Sequence, residues 1–218
     1  MTEREGCVVL NLLSGIGPAR INQLIAAFGS VSAIFESDAA SLCRVRGVGE
    51  PLAERILNWP KYVDLDQELE LADKGGATIL TRFDEAYPAA LREIHDAPLC
   101  LYVRGTFPPE LAGRSLAMVG TRNASYYGRK MARHLAESAA YSGWVTVSGL
   151  AIGIDTIVHR ATLDAGGKTI AVLGGGLARL HPIENAALAR EIVATGGAVV
   201  SEFPMTFAPT PPPFPMRH

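Results

Sequence analysis

Loops of glycine and small polar residues follow apolar, strand-like runs in the second half of the chain, and the first loop contains an arginine. Ser115–Val119 is followed by Gly120–Ser125, which includes Arg122. Trp144–Ser148 is followed by Gly149–Gly153, and helical spacing resumes after each loop. Backbone N–H groups in glycine loops and at helix N-termini bind anions, and a guanidinium group pairs with phosphate oxygens. The pattern predicts a site for a phosphate-bearing ligand.

Two further loops extend the same pattern. Lys168–Leu173 is an apolar run followed by Gly174–Gly176, and Ala198–Ser201 is another, followed by Glu202. Strands that alternate with helices indicate a doubly wound, mostly parallel α/β sheet, in which the carboxyl ends of the strands lie at one edge. A single glycine loop also serves simple helix–strand packing, whereas four loops that converge favour a ligand site.

Positive charge is concentrated around the first loop. Between Ala112 and Arg133 five residues are basic and none is acidic, although the whole chain of 218 residues has a formal net charge of −2. The five are Arg114, Arg122, Arg129, Lys130 and Arg133. This distribution excludes a globally basic coat for nucleic acid, but it favours a local site for an anionic ligand.

The helices that follow these loops have their own signals. In the predicted helix 126–142, Met131, Leu135 and Ala139 recur at a spacing of four, which predicts one buried face. Asp155 is suited to the N-cap of the next helix. Asp155 and His159 also lie four residues apart, so they form either a catalytic or metal-binding pair, or a cap and a buried histidine. No third metal ligand is evident.

Motifs of several enzyme classes are missing. Val119–Arg122 lacks G-x-G-x-x-G, and G-x-x-x-x-G-K-[ST] is absent from the chain, which argues against a dinucleotide-dependent enzyme and a P-loop ATPase. Glu202 is either a general base or a solvated or capping carboxylate. We therefore expect no catalytic residue, no metal and no cofactor.

Residues 1–60 are predicted to form a small all-α domain, and residues 61–218 a Rossmann-like domain. Ser14–Gly17 and Arg46–Gly49 each precede a short helix that has a proline in its first turn. This pattern resembles SAM-like helix–hairpin–helix motifs, in which N–H groups hold a phosphate of nucleic acid without reading sequence. Six acidic residues against five basic ones up to Arg55 favour a compact αα-hairpin over direct DNA contact.

Composition indicates the cytoplasm. Cys7, Cys43 and Cys100 have no C-x-x-C spacing, which fits a reducing compartment. The N-terminus M-T-E-R-E-G lacks the layout of a signal peptide. The uncharged run 138–154 is short and broken by glycine, so we expect a buried strand with its loops and no membrane span. The proline-rich segment after Pro204 is predicted to be extended.

Motifs in a fixed order run along most of the chain. They are Val119-Gly-Thr-Arg-x-x-Ser-x-Tyr-Gly128, Ser148-Gly-Leu-Ala-x-Gly-Ile-Asp155 with His159, Gly167-x-Thr-Ile-Ala-Val-Leu-Gly174, His181-Pro-x-x-Asn185, Ser201-Glu-x-Pro204 and Phe214-Pro-x-Arg217. In this order they resemble the DprA/Smf family of DNA-processing proteins of bacterial transformation. The family usually continues as Phe-Pro-x-Arg-Asn-Arg, whereas this chain has Met216-Arg217-His218, so we expect it to be incomplete at its C-terminus.

The resemblance implies a homodimeric protein that binds and protects single-stranded DNA without sequence specificity and loads the RecA recombinase onto it during DNA uptake. It implies no catalysis. Backbone N–H groups of the first two loops, with the hydroxyls of Ser125 and Ser148, would hold phosphates, and Arg122 would lie against a phosphate or a base. The residues expected at the DNA interface are Gly120, Thr121, Arg122, Ser125, Tyr127, Gly128, Arg129, Lys130, Ser148, Gly149, Leu150, Ala151, Gly153, Asp155, His159, Gly174, Asn185, Ser201, Glu202, Phe214 and Arg217.

Two other functions remain open. The chain also resembles the lysine-decarboxylase-like (LOG) hydrolases of nucleoside monophosphates, but their P-G-G-x-G-T loop and catalytic glutamate are replaced here by Leu173-Gly-Gly-Gly-Leu-Ala178. A purely structural adaptor with RecA as its only partner would not need five cations around glycine loops.

Overall fold

The structure, a computed structural model, describes residues 1–208. Its α-helices are α1 Glu3–Leu12, α2 Pro18–Phe28, α3 Val31–Glu36, α4 Ala39–Cys43, α5 Glu50–Leu57, α6 Leu65–Lys74, α7 Ala89–Arg92, α8 Tyr126–Tyr141, α9 Ile154–Asp164 and α10 Ala186–Ala194. Its strands are β1 Thr78–Thr81, β2 Cys100–Gly105, β3 Ser115–Ala117, β4 Val145–Ser148, β5 Thr169–Val172 and β6 Ala198–Ser201. No helix in this part of the chain combines the length and the apolar character that crossing a bilayer requires.

Two compact units divide the chain. The first consists of Met1–Asp73 and Ile79–Leu101, and the second of Lys74–Thr78 and the residues from Tyr102 onward. This division differs from the expected boundary at residue 60, because α6 and the segment that contains α7 belong with the helical unit. The boundary was not predictable from the sequence, because the segment around α7 has few apolar residues in regular spacing and so does not indicate which unit it packs with.

The helical unit is built on two hairpins of the same backbone geometry. Gly15 and Gly47 both have φ near +83°, a conformation that residues with a side chain rarely adopt. Each hairpin leads into a helix with proline in its first turn, α2 or α5. The core of the unit is apolar and includes Cys7 and Cys100, both fully buried. Burial raises the pKa of the Cys7 thiol to about 12, so this cysteine is a structural one.

Six strands form one mixed sheet in the order β1-β2-β6-β5-β4-β3. The pairs β3–β4, β4–β5 and β5–β6 are all parallel, whereas β2 runs antiparallel to β6. The α/β fold class and the mostly parallel sheet are thus confirmed. The four parallel strands have their carboxyl ends at a single edge, which we name the carboxyl edge.

Small residues hold α8 against α9. Ala132 and Ala136 on α8 form a buried cluster with Val158 and Ala161 on α9, because alanine lets two helix backbones approach closely. The buried face predicted from Met131, Leu135 and Ala139 was therefore partly wrong, since Leu135 is 51% exposed. A spacing of four between large apolar residues suggested the wrong stripe of this alanine-rich helix.

Candidate nucleic-acid interface

Four loops meet at the carboxyl edge, one after each parallel strand. Loop 1 is Gly120–Ser125 after β3, and loop 2 is Gly149–Gly153 after β4. Loop 3 is Gly174–Gly176 after β5, and loop 4 is Glu202–Phe207 after β6. Loops 1 and 2 lead directly into the N-termini of α8 and α9. The positive ends of two helices therefore face this edge.

Loops 1 and 2 are packed directly on each other. A Cβ on Gly120 would lie 2.6 Å from the side chain of Ile154. A Cβ on Gly153 would lie 2.6 Å from the Arg122 carbonyl oxygen and 2.7 Å from the Arg122 Cα. The backbone N–H of Ile154 donates to the Thr121 carbonyl oxygen at 3.2 Å. The backbone that carries Arg122 is thus positioned by the first turn of α9.

Asp155 holds loop 2 from within. The N-cap of α9 is Gly153, at φ 97°, so the predicted capping role of Asp155 was wrong. The buried carboxylate instead turns back across the loop and accepts from the Ala151 N–H at 3.3 Å. Its Oδ2 lies 2.8 Å from where a Cβ on Gly149 would be, so only glycine leaves it room there. A carboxylate in this place rigidifies the loop and does not present itself to a ligand.

Asn185 supports loop 2 from the other side. Its side-chain amide donates to the Leu150 carbonyl oxygen at 2.8 Å and to the Thr156 hydroxyl at 2.8 Å. Leu150 has a positive φ of 58°, which is unusual for a residue with a side chain, and that side chain is fully buried. Asn185 and Leu150, both expected at the DNA interface, therefore shape the loop from inside the protein.

We expect Asn185→Ala to lower the free energy of unfolding by about 1–3 kcal/mol, because the Leu150 carbonyl group loses its buried donor. Loop 2 should loosen more than the rest of the unit. Urea unfolding measures the first effect, and amide hydrogen exchange at 149–156 the second. Exchange that rises uniformly along the chain would contradict a local role for Asn185.

Three further residues expected to contact DNA are buried. The Ser148 hydroxyl donates to the Met118 carbonyl oxygen at 2.7 Å, which links the ends of β4 and β3. The Ser201 hydroxyl accepts from the Phe203 N–H at 3.0 Å. His159 is 0% exposed. Only Ser148 was expected to contact DNA through its side chain, and its hydroxyl is instead bonded within the protein. His159 matches the buried histidine that was the other possibility for this residue.

His159 lies in a buried network of hydroxyl groups. Its Nδ1 is 2.7 Å from the Thr169 Oγ1, and that hydroxyl donates to the Thr146 carbonyl oxygen at 3.0 Å. The ring must then donate through Nδ1, which leaves Nε2 as an acceptor without a hydrogen-bond partner among residues 1–208. Burial lowers the pKa of this imidazole from 6.5 to about 3. His159 is therefore neutral in the folded protein at neutral pH.

This depressed pKa predicts acid sensitivity. The unfolded chain takes up a proton on His159 as the pH falls below about 6.5, whereas the folded protein excludes that proton down to a pH of about 3. The contribution of the neutral His159 to the free energy of unfolding is therefore fully present above pH 6.5. Below pH 6.5 that free energy should fall by about 1.4 kcal/mol per pH unit. The measurement is urea unfolding between pH 7 and pH 5. His159→Asn, which keeps a donor near Nδ1, should flatten this dependence, and an unchanged slope would contradict the assignment.

Only part of the predicted basic cluster belongs to the carboxyl edge. Arg114 precedes β3 and so lies at the opposite edge, where its Nη1 is 3.8 Å from the position of a Cβ on Gly143. Arg133 pairs with Glu137 and Asp164 at 3.6 and 3.4 Å.

Arg122 in loop 1, and Arg129 and Lys130 near the start of α8, place positive charge at the carboxyl edge, and the exposed Arg179 follows loop 3. Arg129 also donates to the Ala124 carbonyl oxygen at 2.7 Å, which fixes the end of loop 1. The exposed Ser125 caps α8 by accepting from the Gly128 N–H at 3.1 Å. The N–H groups of Tyr126 and Tyr127, in the first turn, have no partner within the helix.

Exposed aromatic and aliphatic side chains surround these cations. Tyr126 and Tyr127 are 76% and 71% exposed. Val119, Ile152 and Ile183 are exposed as well. Of these residues, only Tyr127 was expected at the interface. The position of Tyr126 directly after a capping serine was the sequence signal that could have identified it.

Loops 3 and 4 form the other side of the edge. A Cβ on Gly176 would collide with the carbonyl groups of Pro204 and Met205, and the Gly176 N–H donates to the Phe207 carbonyl oxygen at 2.9 Å. The rings of Phe203 and Phe207 are stacked with centroids 4.5 Å apart. Gly174 is exposed and Glu202 half-buried. Phe214 and Arg217 lie outside the described residues.

Two arginine side chains form hydrogen bonds to the backbone of the first hairpin in the helical unit. Arg20 donates to the Gly15 carbonyl oxygen, and Arg55 donates to the Ser14 carbonyl oxygen at 3.3 Å. These guanidinium groups brace the first hairpin. Such bracing favours the compact αα-hairpin over a phosphate clamp as the role of this segment.

Known proteins share both parts of this chain. Residues 78–218 match the model of the family "DNA recombination-mediator protein A", and residues 9–58 match that of the "SAM-like Helix-hairpin-helix tandem". Protein Smf of Escherichia coli is 37% identical over 76% of this chain, and the DNA processing protein DprA of Bacillus subtilis is 36% identical over 72%.

Solved structures agree with the sequence matches. The crystal structure of DNA processing protein A from Streptococcus pneumoniae superposes with a TM-score of 0.72 at 28% identity, covering 97% of this chain and 71% of that one. The Helicobacter pylori protein, which has a single-stranded DNA binding mode, superposes with a TM-score of 0.52 at 29% identity, covering 62% and 59%. The chain spans about half the length of its curated relatives, 44% of the Escherichia coli protein and 52% of the Bacillus subtilis protein. It belongs to the family of DNA recombination-mediator protein A, the DprA/Smf proteins.

Proposed function

We propose that the carboxyl edge binds single-stranded DNA without sequence specificity. The observation that carries the proposal is the packing of loop 1 on loop 2, which places two helix N-termini beside Arg122, Arg129 and Lys130. N–H groups and guanidinium groups contact phosphates, which are the same in every sequence. The single-stranded DNA binding mode of the related Helicobacter pylori protein supports the same ligand.

A single strand fits this edge better than a duplex. Exposed aromatic and aliphatic groups lie among the cations, and they can contact base faces that a duplex keeps stacked inside. The chemistry of the edge therefore matches a flexible strand with accessible bases.

Fluorescence anisotropy with the 218-residue chain tests this function. A labelled oligonucleotide of thymidines should bind more tightly than a blunt duplex of the same length, and the logarithm of the affinity should fall linearly with the logarithm of salt concentration. Each phosphate neutralised on a single strand contributes a slope of about −0.7. Equal affinity for the two forms at every salt concentration would count against the site.

We further propose that the protein loads RecA onto the bound strand, acts as a homodimer in the cytoplasm and protects the strand from nucleases. These functions rest on family membership and not on any surface described above. RecA filament assembly on strands coated with a single-strand-binding protein measures the loading step. RecA assembly that this chain leaves unchanged, with strand binding intact, would remove loading from the proposal.

We propose no catalysis for this chain. The hydrolase alternative requires a threonine and a glutamate at loop 3, and Gly176 is followed there by Leu177 and Ala178. Glu202, in loop 4, is the carboxylate that the sequence offered as a general base. Release of free adenine from AMP by the purified chain, abolished by Glu202→Gln, would revive the hydrolase.

We expect the helical unit to contribute less to DNA binding than the carboxyl edge. Arg44 and Arg46 are exposed beside the second hairpin, so they are the guanidinium groups there most able to meet a phosphate. The double variant Arg44→Ala/Arg46→Ala should keep affinity for single strands within about twofold, a change within the range of weak surface ion pairs. Anisotropy at low salt measures this, and a large loss would assign DNA contact to the hairpins.

A further inference from the structure

The first turn of α8 presents two adjacent aromatic rings to solvent. Tyr126 and Tyr127 are 76% and 71% exposed, although large aromatic side chains normally bury most of their area. They directly follow Ser125, whose side chain caps the helix, so the backbone beneath both rings is fixed. Because the backbone beneath them is already fixed, only the side-chain freedom of the two rings is lost when they pack against a ligand.

The surroundings of these rings select the kind of ligand. Arg122 and Lys130 supply positive charge, and no acidic residue occurs between Ala112 and Arg133. The exposed Val119 in the segment before loop 1 and Ile152 in loop 2 add apolar surface at the same edge. A ligand that suits both parts carries negative charge along a backbone and flat apolar faces beside it, as an unstacked polynucleotide strand does.

We infer that Tyr126 and Tyr127 form a stacking platform that binds the bases of the strand, so that the interface recognises bases as well as phosphates. This inference rests on the function proposed above and adds a second component to it. The loops and cations hold the sugar–phosphate backbone, and the tyrosine rings hold base faces. Because every base has such a face, the platform raises affinity without creating sequence preference.

Two single strands that differ only in their bases distinguish base stacking from phosphate binding. One strand of about fifteen thymidines and one abasic strand of the same number of phosphates carry equal charge, so only base contacts distinguish them. The wild-type 218-residue chain should bind the thymidine strand more tightly. Tyr126→Ala/Tyr127→Ala should lose about tenfold or more in affinity for the thymidine strand, a loss typical of base–aromatic stacking, and should bind the abasic strand like the wild type.

Matched variants control for structure and charge. Tyr141→Ala removes an equally exposed ring, 77%, from the last residue of the same helix and should leave both affinities unchanged. Tyr126→Phe/Tyr127→Phe keeps both rings and should retain affinity for the thymidine strand. The salt dependence should be the same in every variant, because none removes a charge.

Three other results would each contradict a specific claim. Equal losses on both strands, or no loss on either, would refute the platform while leaving phosphate binding in place. A loss that the phenylalanine variant shares would assign the tyrosines a hydroxyl contact instead of stacking. A wild-type chain that binds neither strand would refute the proposed function itself and, with it, the inference.

Discussion

Gly153→Ala is expected to disable the carboxyl edge more than any other single methyl group added to the chain. Gly153 has φ 97°, which disfavours every residue with a side chain, and the new Cβ would collide with the backbone of Thr121 and Arg122. Backbone cannot move aside as a flexible side chain can, so loop 1, loop 2 or both must shift. We expect a loss of about 2–4 kcal/mol in the free energy of unfolding and, in the folded variant, loss of most strand binding.

Gly166→Ala is the matched control for this substitution. Gly166 also has a positive φ, 73°, and it lies just beyond the C-terminus of α9, where nothing is within 4 Å of the added Cβ. It should therefore show backbone strain alone, about 1 kcal/mol, with strand binding intact. Urea unfolding and anisotropy at a temperature where each variant is folded measure both quantities. Equal effects at the two glycines would show that the contact between loops 1 and 2 does not matter.

Arg122→Ala is expected to be the most costly loss of a single side chain for DNA binding. Arg122 is exposed in loop 1, between a strand end and the N-terminus of α8, and its planar guanidinium suits a phosphate or a base edge better than a lysine ammonium. A charge-assisted contact of this kind is worth about 1–3 kcal/mol, or roughly fivefold to 150-fold in affinity. Arg122→Lys should recover only part of the loss.

Arg114→Ala removes the same charge from the opposite edge of the sheet and is the control. Its effect on strand binding should be small and confined to low salt, because the distance exceeds the range of screened interactions at about 0.15 M salt. The melting temperature of both variants is the accompanying measurement. If Arg122→Ala lowers it by several degrees and weakens binding only in proportion, Arg122 is a structural residue. The phosphate site would then centre on Arg129 and Lys130.

The course of the chain through the sheet was predictable, because apolar runs and glycine punctuation are local signals. The runs before loops 1 to 4 became β3 to β6, and α8 begins at Tyr126, near which helical spacing was predicted to start. The convergence of the loops also followed, since parallel strands put their carboxyl ends at one edge. Residue types alone were therefore enough to locate the candidate site on the fold.

The direction in which each side chain points was not predictable. Asp155, Ser148 and His159 carry hydrogen-bonding groups that equally suit a ligand or the protein's own backbone. In the structure all three side chains are buried and form hydrogen bonds within the protein, to a neighbouring strand or loop. Sequence contains no signal for this choice. Ser148 bonds to a strand end 30 residues away, and the closer partners of Asp155 and His159 do not show in residue types alone.

The basic cluster shows the same limit. Arg114 and Arg133 are close to Arg122 in sequence, but one lies at the far edge of the sheet and the other pairs with acidic residues. Charge counted along the sequence therefore overstated the charge at the site. Tyr126, which no motif singled out, is an exposed aromatic residue at the start of α8.

Photo-cross-linking is the most direct test that the carboxyl edge binds single-stranded DNA. A short strand that carries 5-iodouracil, irradiated with the 218-residue chain and digested, identifies the peptides that touch bases. We predict cross-links to the peptides that contain 122–130 and 149–154, with the strongest at Tyr126 or Tyr127. Cross-links confined to the hairpins 14–17 and 46–49 would contradict the account and place the strand on the helical unit.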